Sequence, residues 1–263
     1  MPPFTPRFTR RLPGPALAPY VTSYWRVTAE QAPPWKSRVL PDGSNDLIID
    51  LSAEPRPFVV GAMRRAEVVP LAGRVDLLGV RFRPGGALPF LRVPLYQLTD
   101  KHIALDALWG GAAGSLADAV AAAPPGDQVT VLERMLLAGL RQPRLDDDLI
   151  LRAVTLMRRT RGGLGIRAAA QALSTGERRL QRAFDLAVGL SPKRFARVQR
   201  FLGAVRDIGR LAARPMAAVA FDSGYSDHPH FIREFKRLAG VTPAQYAAER
   251  RVGIVQDEDP LPA

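Results

Sequence analysis

The chain reads Leu180-Gln-Arg-Ala-Phe184 and then Gly189-Leu-Ser-Pro192, and it repeats this pattern as Phe231-Ile-Arg-Glu-Phe235 and Gly240-Val-Thr-Pro243. The matching residues lie 51 positions apart. A solenoid buries its core only when about three or more repeats stack, so two copies are too few for one. The repeat therefore predicts a duplicated helical module within residues 166–245.

Each copy begins with the signals of a helix and a turn. Residues 166–173 and 216–221 are rich in small residues and predict a short first helix in each copy. The segments that follow, residues 174–176 and 223–227, contain Ser, Thr, Gly and Asp. These residue types suit left-handed turn positions and helix caps. The order predicts a helix-turn-helix in each copy.

The second helix of each copy is predicted over residues 176–187 and 227–238. Leu180 and Phe184 recur at i and i+4 in the first copy, and two phenylalanines do so in the second. A glycine then stops each helix, and a proline stands in the first turn of the next one. The aromatic residues of both copies, together with Phe195 and Tyr246, are predicted to lie in the core.

Two longer helices are predicted around these modules. Residues 146–161 form an amphipathic pattern that would support the first module. Residues 192–210 carry apolar residues at helical spacing and predict a connector helix between the modules. At ~1.5 Å per residue the connector spans roughly 27 Å, which suits two helices that enter DNA about one turn, ~34 Å, apart. Gly203 and Gly209 weaken this helix by up to ~1 kcal/mol each.

The duplicated motif also carries a family resemblance. Residues 148–250 resemble the DNA-binding domain of the AraC/XylS family of transcription regulators. The matching residues are Arg182-Ala-Phe184 with Gly189-Leu-Ser-Pro192, and Gly224-Tyr-Ser-Asp227 with His230-Phe231, Phe235-Lys236 and Gly240-Val-Thr-Pro243. A doubled motif at this spacing is much more specific than a single helix-turn-helix.

The exposed face of each second helix predicts the DNA contacts. Arg grips guanine and Gln grips adenine through paired hydrogen bonds, and an apolar side chain can touch a thymine methyl group. The resemblance implies base contacts at the same positions, which are Arg178, Gln181, Arg182, His228, Ile232 and Arg233. Contacts to the phosphate backbone, which position the protein without specifying sequence, are predicted at Thr175, Arg179, Lys193, Arg194, Ser226, His230, Lys236 and Arg237.

Two of these positions have a structural alternative. Arg182 and Arg233 could instead pair within the chain, for instance with Asp185 or Glu234. The sequence His228-Pro-His230 raises the question of a metal, but no cysteine or acidic partner stands beside it. No metal and no cofactor are predicted.

Positive charge concentrates on the duplicated segment. The formal net charge is +12, and residues 152–251 hold 20 Lys or Arg against 7 Asp or Glu. Residues 1–145 hold 17 against 12, and acidic clusters at residues 146–148 and 257–259 flank the module. A phosphate-binding surface requires such an excess. A solvated basic face is the alternative that composition alone leaves open.

The part of the chain before the modules predicts a β-rich domain. Residues 20–27, 47–51, 58–60 and 75–82 have the residue types of strands. The predicted fold class is therefore α+β with two domains: a β-rich N-terminal domain with short helices, for which a cupin-like barrel is one form, and an all-α domain with two helix-turn-helix motifs joined by a long connector helix. The predicted boundaries are 1–143 for a regulatory, sensor or dimerisation domain, 144–251 for the DNA-binding domain and 252–263 for an acidic flexible tail.

Residues 7–140 also resemble a family of bacterial sensor-like domains that precede AraC-type modules. Leu40-Pro-Asp-Gly43 and Gly79-Val-Arg-Phe-Arg-Pro-Gly-Gly86 belong to the matching stretches. Asp42, Asn45, Asp46 and Asp50 do not fit the spacing of a calcium loop and predict a turn. Arg83-Pro-Gly-Gly86 lacks the end of a phosphate-binding loop and predicts a turn from a strand into a helix.

Residues 114–123 and 127–140 predict two further helices. The apolar stripe on the second consists of Val131, Leu132, Met135, Leu136 and Leu140. It could pair with a second copy of the chain, but packing against the β domain is the favoured interpretation. Both a monomer and a homodimer stay open, since one chain already has two recognition helices.

Composition excludes several classes of protein. The sequence has no cysteine, which rules out disulfides, thiolate zinc sites and cysteine nucleophiles. No apolar run approaches the ~18 residues of a membrane span, and the first residues lack the apolar core of a signal peptide. We expect no membrane association and a cytoplasmic, nucleoid-associated protein.

These patterns predict a sequence-specific regulator that binds double-stranded promoter DNA, with RNA polymerase and a small-molecule effector as further partners. A non-specific architectural DNA-binding protein is one alternative. An enzyme with its site in the β domain is another, but the domain has one histidine, His102, and no nucleophile paired with a base. We therefore expect no catalytic residues.

Overall fold

The computed structural model describes residues 6–140, 145–210 and 216–251. Its strands are β1 (Arg7–Arg11), β2 (Val21–Val39), β3 (Asp46–Asp50), β4 (Arg56–Val60), β5 (Glu67–Phe82) and β6 (His102–Ala104). Its N-terminal helices are α1 (Leu88–Leu91), α2 (Asp106–Trp109), α3 (Gly111–Ala122) and α4 (Gln128–Gly139), with a 3₁₀ turn at Leu95–Gln97. Its C-terminal helices are α5 (Leu145–Arg159), α6 (Ile166–Ala172), α7 (Glu177–Ala187), α8 (Pro192–Arg210), α9 (Met216–Asp222), α10 (His228–Ala239) and α11 (Pro243–Arg251). The fold is α+β, as predicted.

The strands form one antiparallel sheet in the order β1-β2-β5-β3-β4-β6. β1 and β6 lie at its two edges, and in the described part of the chain they do not pair with each other. The sheet is therefore open, and the cupin-like barrel that the sequence allowed is not closed by hydrogen bonds.

Strands β2 and β5 are much longer than the sequence indicates. Residues 20–27 and 75–82 were the predicted strands, and both continue into a two-stranded ribbon. Pro33 and Pro34 lie at a shift of register between the two strands. Proline lacks the N–H of a ladder hydrogen bond, so a strand tolerates it at such an irregularity near an edge. β1 was also missed, because all of its residues are exposed and show no alternation.

The N-terminal domain is built around one hydrophobic core between the sheet and its helices. Its largest buried side chains include Tyr24, Phe82 and Phe90. Leu132 and Leu136 of α4 are buried in this core, and the rest of the α4 stripe packs against it. The stripe therefore packs within the chain, as the favoured interpretation held.

The turns that resembled ligand loops have structural roles. Asp42 and Asp46 both pair with Arg81, at 3.7 and 3.2 Å. The Oδ1 atom of Asn45 accepts the N–H of Ala62 at 3.1 Å. The segment after Phe82 leads from β5 into α1, as predicted.

The C-terminal helices enclose two separate cores. One contains Phe184 and Phe195 of α5–α8 together with Ala62 of the N-terminal domain, and the other contains Phe235 and Tyr246 and is formed by α8–α11. The four aromatic residues are at most 2% exposed, which confirms their predicted place. α8 has the predicted bounds and supplies side chains to both cores. The proposed boundary near residue 143 and the tail from residue 252 fall outside the described residues, so they stay predictions.

Candidate DNA-binding surface

Each module folds as two helices joined by a tight turn. In the first module the N–H groups of Ser174 and Thr175 bond back to the carbonyls of Gln171 and Ala170, both at 3.0 Å. The second module makes the same pair of bonds from Gly224 and Tyr225, at 2.9 and 3.1 Å. Ser174 and Gly224 both have positive φ, at 52° and 74°. The two turns therefore begin in the same way.

The second turn is one residue longer than the first. Ser174 corresponds to Gly224, 50 positions later, whereas Gly176 before α7 corresponds to Asp227 before α10, 51 positions later. The additional residue lies entirely within the turn, because the helices on both sides keep equivalent bounds. The offset of 51 seen in the sequence thus holds from the recognition helices onward.

The two recognition helices also start differently. The Oδ1 atom of Asp227 accepts the backbone N–H of His230 at 2.7 Å, so α10 has the predicted side-chain cap. Gly176 supplies no such cap to α7. The His230 N–H, and then the Ser226 hydroxyl, hold the pKa of Asp227 below its ordinary value. The carboxylate is therefore charged at neutral pH, next to the positive end of the helix dipole.

In the first module the predicted base-contacting side chains are all on the outer face of α7. Arg178, Gln181 and Arg182 are exposed, whereas Leu180 and Phe184 are buried beneath them. The amide of Gln181 donates to both oxygens of Asp185, at 3.0 Å each. Asp185 is thus occupied by Gln181. These hydrogen bonds lie at the surface, and the outer face of α7 remains exposed.

In the second module the predicted face is only partly free. His228 and Arg233 are exposed on α10. Ile232 is half-buried and packs against the core of its own module. The thymine contact of Ile232 stays a prediction, and only the part of the side chain that remains outside the core could make it.

Arg182 and Arg233 do not form the ion pairs that the sequence offered as an alternative. Within the described ranges no ion pair involves either guanidinium. Glu234 is instead paired with Arg197 at 3.0 Å, with His230 at 3.5 Å and with Arg237 at 3.7 Å. Both arginines are therefore available to a ligand.

Glu234 is considered from the sequence only as an alternative partner of a recognition-helix arginine, and no contact with α8 is predicted for it. Its side chain is 5% exposed, and its main partner Arg197 lies on α8. The pair joins the connector helix to recognition helix α10 and so sets the position of α10. The sequence signal that could have indicated the buried pair is the place of Glu234, a charged residue next to Phe235 on the apolar side of the helix. Its partner, 37 residues earlier, is evident only in the fold.

The predicted phosphate contacts surround the recognition helices. Exposed members are Arg179, Lys193, Arg194, Ser226, Lys236 and Arg237, and His230 is half-buried. Thr175 is an exception, because its hydroxyl is buried within the first module. The turn directs this side chain inwards, so a phosphate contact through the Thr175 hydroxyl would require the turn to rearrange, and the contact at Thr175 stays a prediction.

The basic surface at the start of α8 continues onto the N-terminal domain. A cleft of about 510 Å³ is lined by Arg194 of α8 and by Arg64 and Lys101 of the N-terminal domain. Arg64 also pairs with Asp100. Cationic side chains of both domains therefore face one open groove beside the first module.

Other kinds of site have no counterpart in the described chain. Its His, Asp and Glu residues form no group of three or more that could hold a metal ion. Over the same residues, no helix combines the length and apolar character needed to cross a membrane.

Two family models match the sequence. Residues 9–104 match a domain of unknown function (DUF6597), and residues 169–249 match a helix-turn-helix domain. No curated protein matches the chain. The matched ranges fall inside the two predicted domains and cover most of the sheet and most of the two modules.

The solved structures that the chain matches include those of ToxT from Vibrio cholerae. One, from strain O395, is 9% identical with a TM-score of 0.44 and covers 85% of this chain and 95% of that chain. Another, a wild-type ToxT from strain SCE256 bound to an unsaturated fatty acid, is 11% identical with a TM-score of 0.41 and covers 84% and 93%.

The duplicated modules, their exposed basic helices and the helix-turn-helix match support a DNA-binding transcription regulator. More particularly, the C-terminal part of the chain is an AraC-type helix-turn-helix domain that follows a separate N-terminal domain.

Proposed function

We propose that this protein regulates transcription by sequence-specific binding, with α7 and α10 in two adjacent segments of the major groove of promoter DNA. The observation that carries the proposal is the matched pair of helices, each with apolar anchors buried and one exposed arginine that forms no ion pair with the described residues. Arg182 and Arg233, 51 positions apart, occupy the same place in the two copies. Such arginines can each donate two hydrogen bonds to a guanine.

The connector helix suits this arrangement. α8 has 19 residues, so at a rise of ~1.5 Å from each residue to the next it spans roughly 27 Å. Two recognition helices held at its ends can enter the same face of the duplex about one turn apart. One chain then binds both segments, and we propose a complex of one chain per site.

The first experiment selects sequences bound by the full-length protein from a random duplex pool. We expect a bipartite motif with elements about one helical turn apart. Fluorescence anisotropy on the enriched site then compares Arg182→Ala and Arg233→Ala with the parent. Each variant should lose about ten- to hundredfold in affinity and relax one element only.

Arg134→Ala is the matched control, because Arg134 is exposed on α4 of the N-terminal domain. It should leave both elements unchanged. If no sequence is enriched and both recognition-helix variants only weaken salt-sensitive binding, the protein is an architectural DNA-binding protein and the proposal is wrong.

The remaining partners follow from the same proposal. A promoter-bound regulator acts on RNA polymerase at the nucleoid, and the N-terminal domain is the part that would respond to a small molecule. Transcription in vitro with purified polymerase and a promoter that contains the selected site tests this directly. The transcript level should change with the parent protein and not with the double variant of Arg182 and Arg233.

A further inference from the structure

The N-terminal domain contacts the two modules at equivalent places. In the first module, the Thr99 hydroxyl donates to the carbonyl of Gly189 at 2.5 Å. Gly189 follows α7, has a φ of +85°, and lies so close to the carbonyl of Leu95 that a Cβ would be 2.8 Å from its oxygen. The contact therefore fixes the turn at the end of the first recognition helix.

In the second module, the contact is with the end of α10. The N–H of Ala66 donates to the carbonyl of Leu238 at 2.6 Å, and Nη1 of Arg38 donates to the carbonyl of Ala239 at 2.9 Å. These are terminal carbonyls of the helix, which lack partners within it. Gly240, which follows them, corresponds to Gly189 in the first module.

Arg38 also forms an ion pair with the last described helix. Its Nε and Nη2 atoms donate to the two carboxylate oxygens of Glu249 on α11, at 2.8 and 3.1 Å. The two side chains are only 13% and 24% exposed. Paired hydrogen bonds between a guanidinium and a carboxylate fix direction as well as distance. Arg38 therefore holds the second module in a defined orientation.

Between these points the N-terminal domain rests on the connector helix. A Cβ on Gly43, whose φ is +84°, would lie 2.6 Å from the ring of Phe195 on α8. Gln199 of α8 donates to the carbonyl of Asp42 at 3.3 Å. All four points of support belong to one domain with a single core, whereas the two modules have separate cores.

We propose that the N-terminal domain is a splint that sets the distance and angle between the two recognition helices, with Thr99 and Arg38 as its positioning residues. The splint is the set of contacts from Arg38, Gly43, Ala66 and Thr99 to the modules. Among the described residues, α8 contributes side chains to the cores of both modules, and each glycine in its interior lowers the stability of the helix by up to ~1 kcal/mol. The splint determines the spacing of DNA elements that the protein accepts, and in this respect the inference rests on the proposed function.

The first test measures the free protein and needs no DNA. The chain has no cysteine, so spin labels can be placed by Gln171→Cys and Phe221→Cys. These positions are equivalent and exposed in the two modules. Pulsed electron resonance should give one narrow distance distribution, which broadens in Arg38→Met and in Thr99→Val.

Two further variants make this test decisive. Glu249→Gln removes the carboxylate charge that pairs with Arg38. It should broaden the distance distribution as Arg38→Met does. Arg152→Met breaks an exposed pair within α5 and should leave it unchanged. An unchanged distribution in both Arg38→Met and Thr99→Val, with folding verified by circular dichroism, would overturn the splint.

The second test uses the selected DNA site with one or two base pairs added or removed between its elements. Each base pair rotates one element by about 35° around the duplex, so the parent protein should lose about ten- to hundredfold in affinity. Arg38→Met should bind the altered sites with a smaller loss while it keeps the same two element sequences. Equal losses in parent and variant would contradict the inference. If the parent selects no site at all, the proposed function fails, and the distance measurement still decides the splint.

Discussion

Gly203 shows how one residue in the connector helix limits its stability. It lies inside α8, where a Cβ would meet only the Cδ atom of Arg161 at 3.6 Å, an ordinary contact. Gly203→Ala should therefore raise the free energy of unfolding by up to ~1 kcal/mol, because alanine loses less backbone entropy in a helix. Urea denaturation measures it, and a destabilised variant would contradict the prediction.

Gly162 predicts the opposite outcome for the same chemical change. Its φ is +68°, and a Cβ would lie 1.8 Å from the carbonyl oxygen of Ala196 on α8. Gly162→Ala should lower the free energy of unfolding by at least ~1–3 kcal/mol, because the backbone strain adds to a clash with another helix. The same urea titration compares it with Gly203→Ala, and two variants of equal stability would rule out this account of how the turn after α5 packs against α8.

At the scale of a helix, Asp227 provides the cap of α10. Asp227→Ala should lower the melting temperature of the second module, whereas Asp227→Asn should stay close to the parent at neutral pH, because asparagine caps as well as aspartate. The pKa of Asp227 is lowered in the folded chain, so the stability due to its charge is present above the ordinary aspartate pKa. That stability is lost as pH falls through the lower folded value.

Melting curves between about pH 5 and about pH 3 test this sign. The parent should lose more stability over that interval than Asp227→Asn does. A parallel decline of the two proteins would show that the charge of the cap does not contribute.

Glu234 joins two helices and has a matching prediction. Glu234→Gln keeps the shape of the side chain but removes the charge that Arg197 holds at 3.0 Å. We expect the variant to lose about 1–3 kcal/mol of stability and to bind the second DNA element less tightly, with the first element unaffected. Anisotropy on sites with either element scrambled separates these effects. Equal weakening at both elements would argue against a local role for Glu234.

For the whole molecule, the concentration of charge predicts a steep dependence on salt. Each phosphate contact lowers the slope of log K against log salt by ~0.9. Lys193→Ala, which removes an exposed cation at the start of α8, should reduce the slope by ~1 and weaken specific and random DNA alike. Lys36→Ala, exposed on β2 of the N-terminal domain, should leave the slope as it is. A specific loss at the selected site alone would place Lys193 among the base contacts.

The sequence predicted the helical half of the molecule closely and the β half incompletely. Helical spacing, with glycine and proline at the ends, located α8 at the observed bounds and both recognition helices to within one residue. The ribbon of β2 and β5 contains prolines and polar residues, so local pattern gave no signal for it. Whether such a segment forms a strand depends on its pairing with a strand that is distant in the sequence.

The candidate site shows the same division. The outward positions of Arg178, Gln181 and Arg182 follow from the buried partners on the same helix. The inward hydroxyl of Thr175 and the burial of Glu234 depend on the turn and on another helix. Helical periodicity predicts which face of a helix is exposed. It does not predict the direction of a side chain in a turn.

The longer turn of the second module records how the two halves of the domain have diverged. One residue more between the helices left every helix in place, so this turn is the point where the duplicated unit tolerates a change of length. At the position just before the recognition helix, the second module has the carboxylate of Asp227 where the first has Gly176. The turn of the second module is therefore a template for a longer turn in the first module. Replacing the first turn with the second would give α7 the same side-chain cap that α10 has.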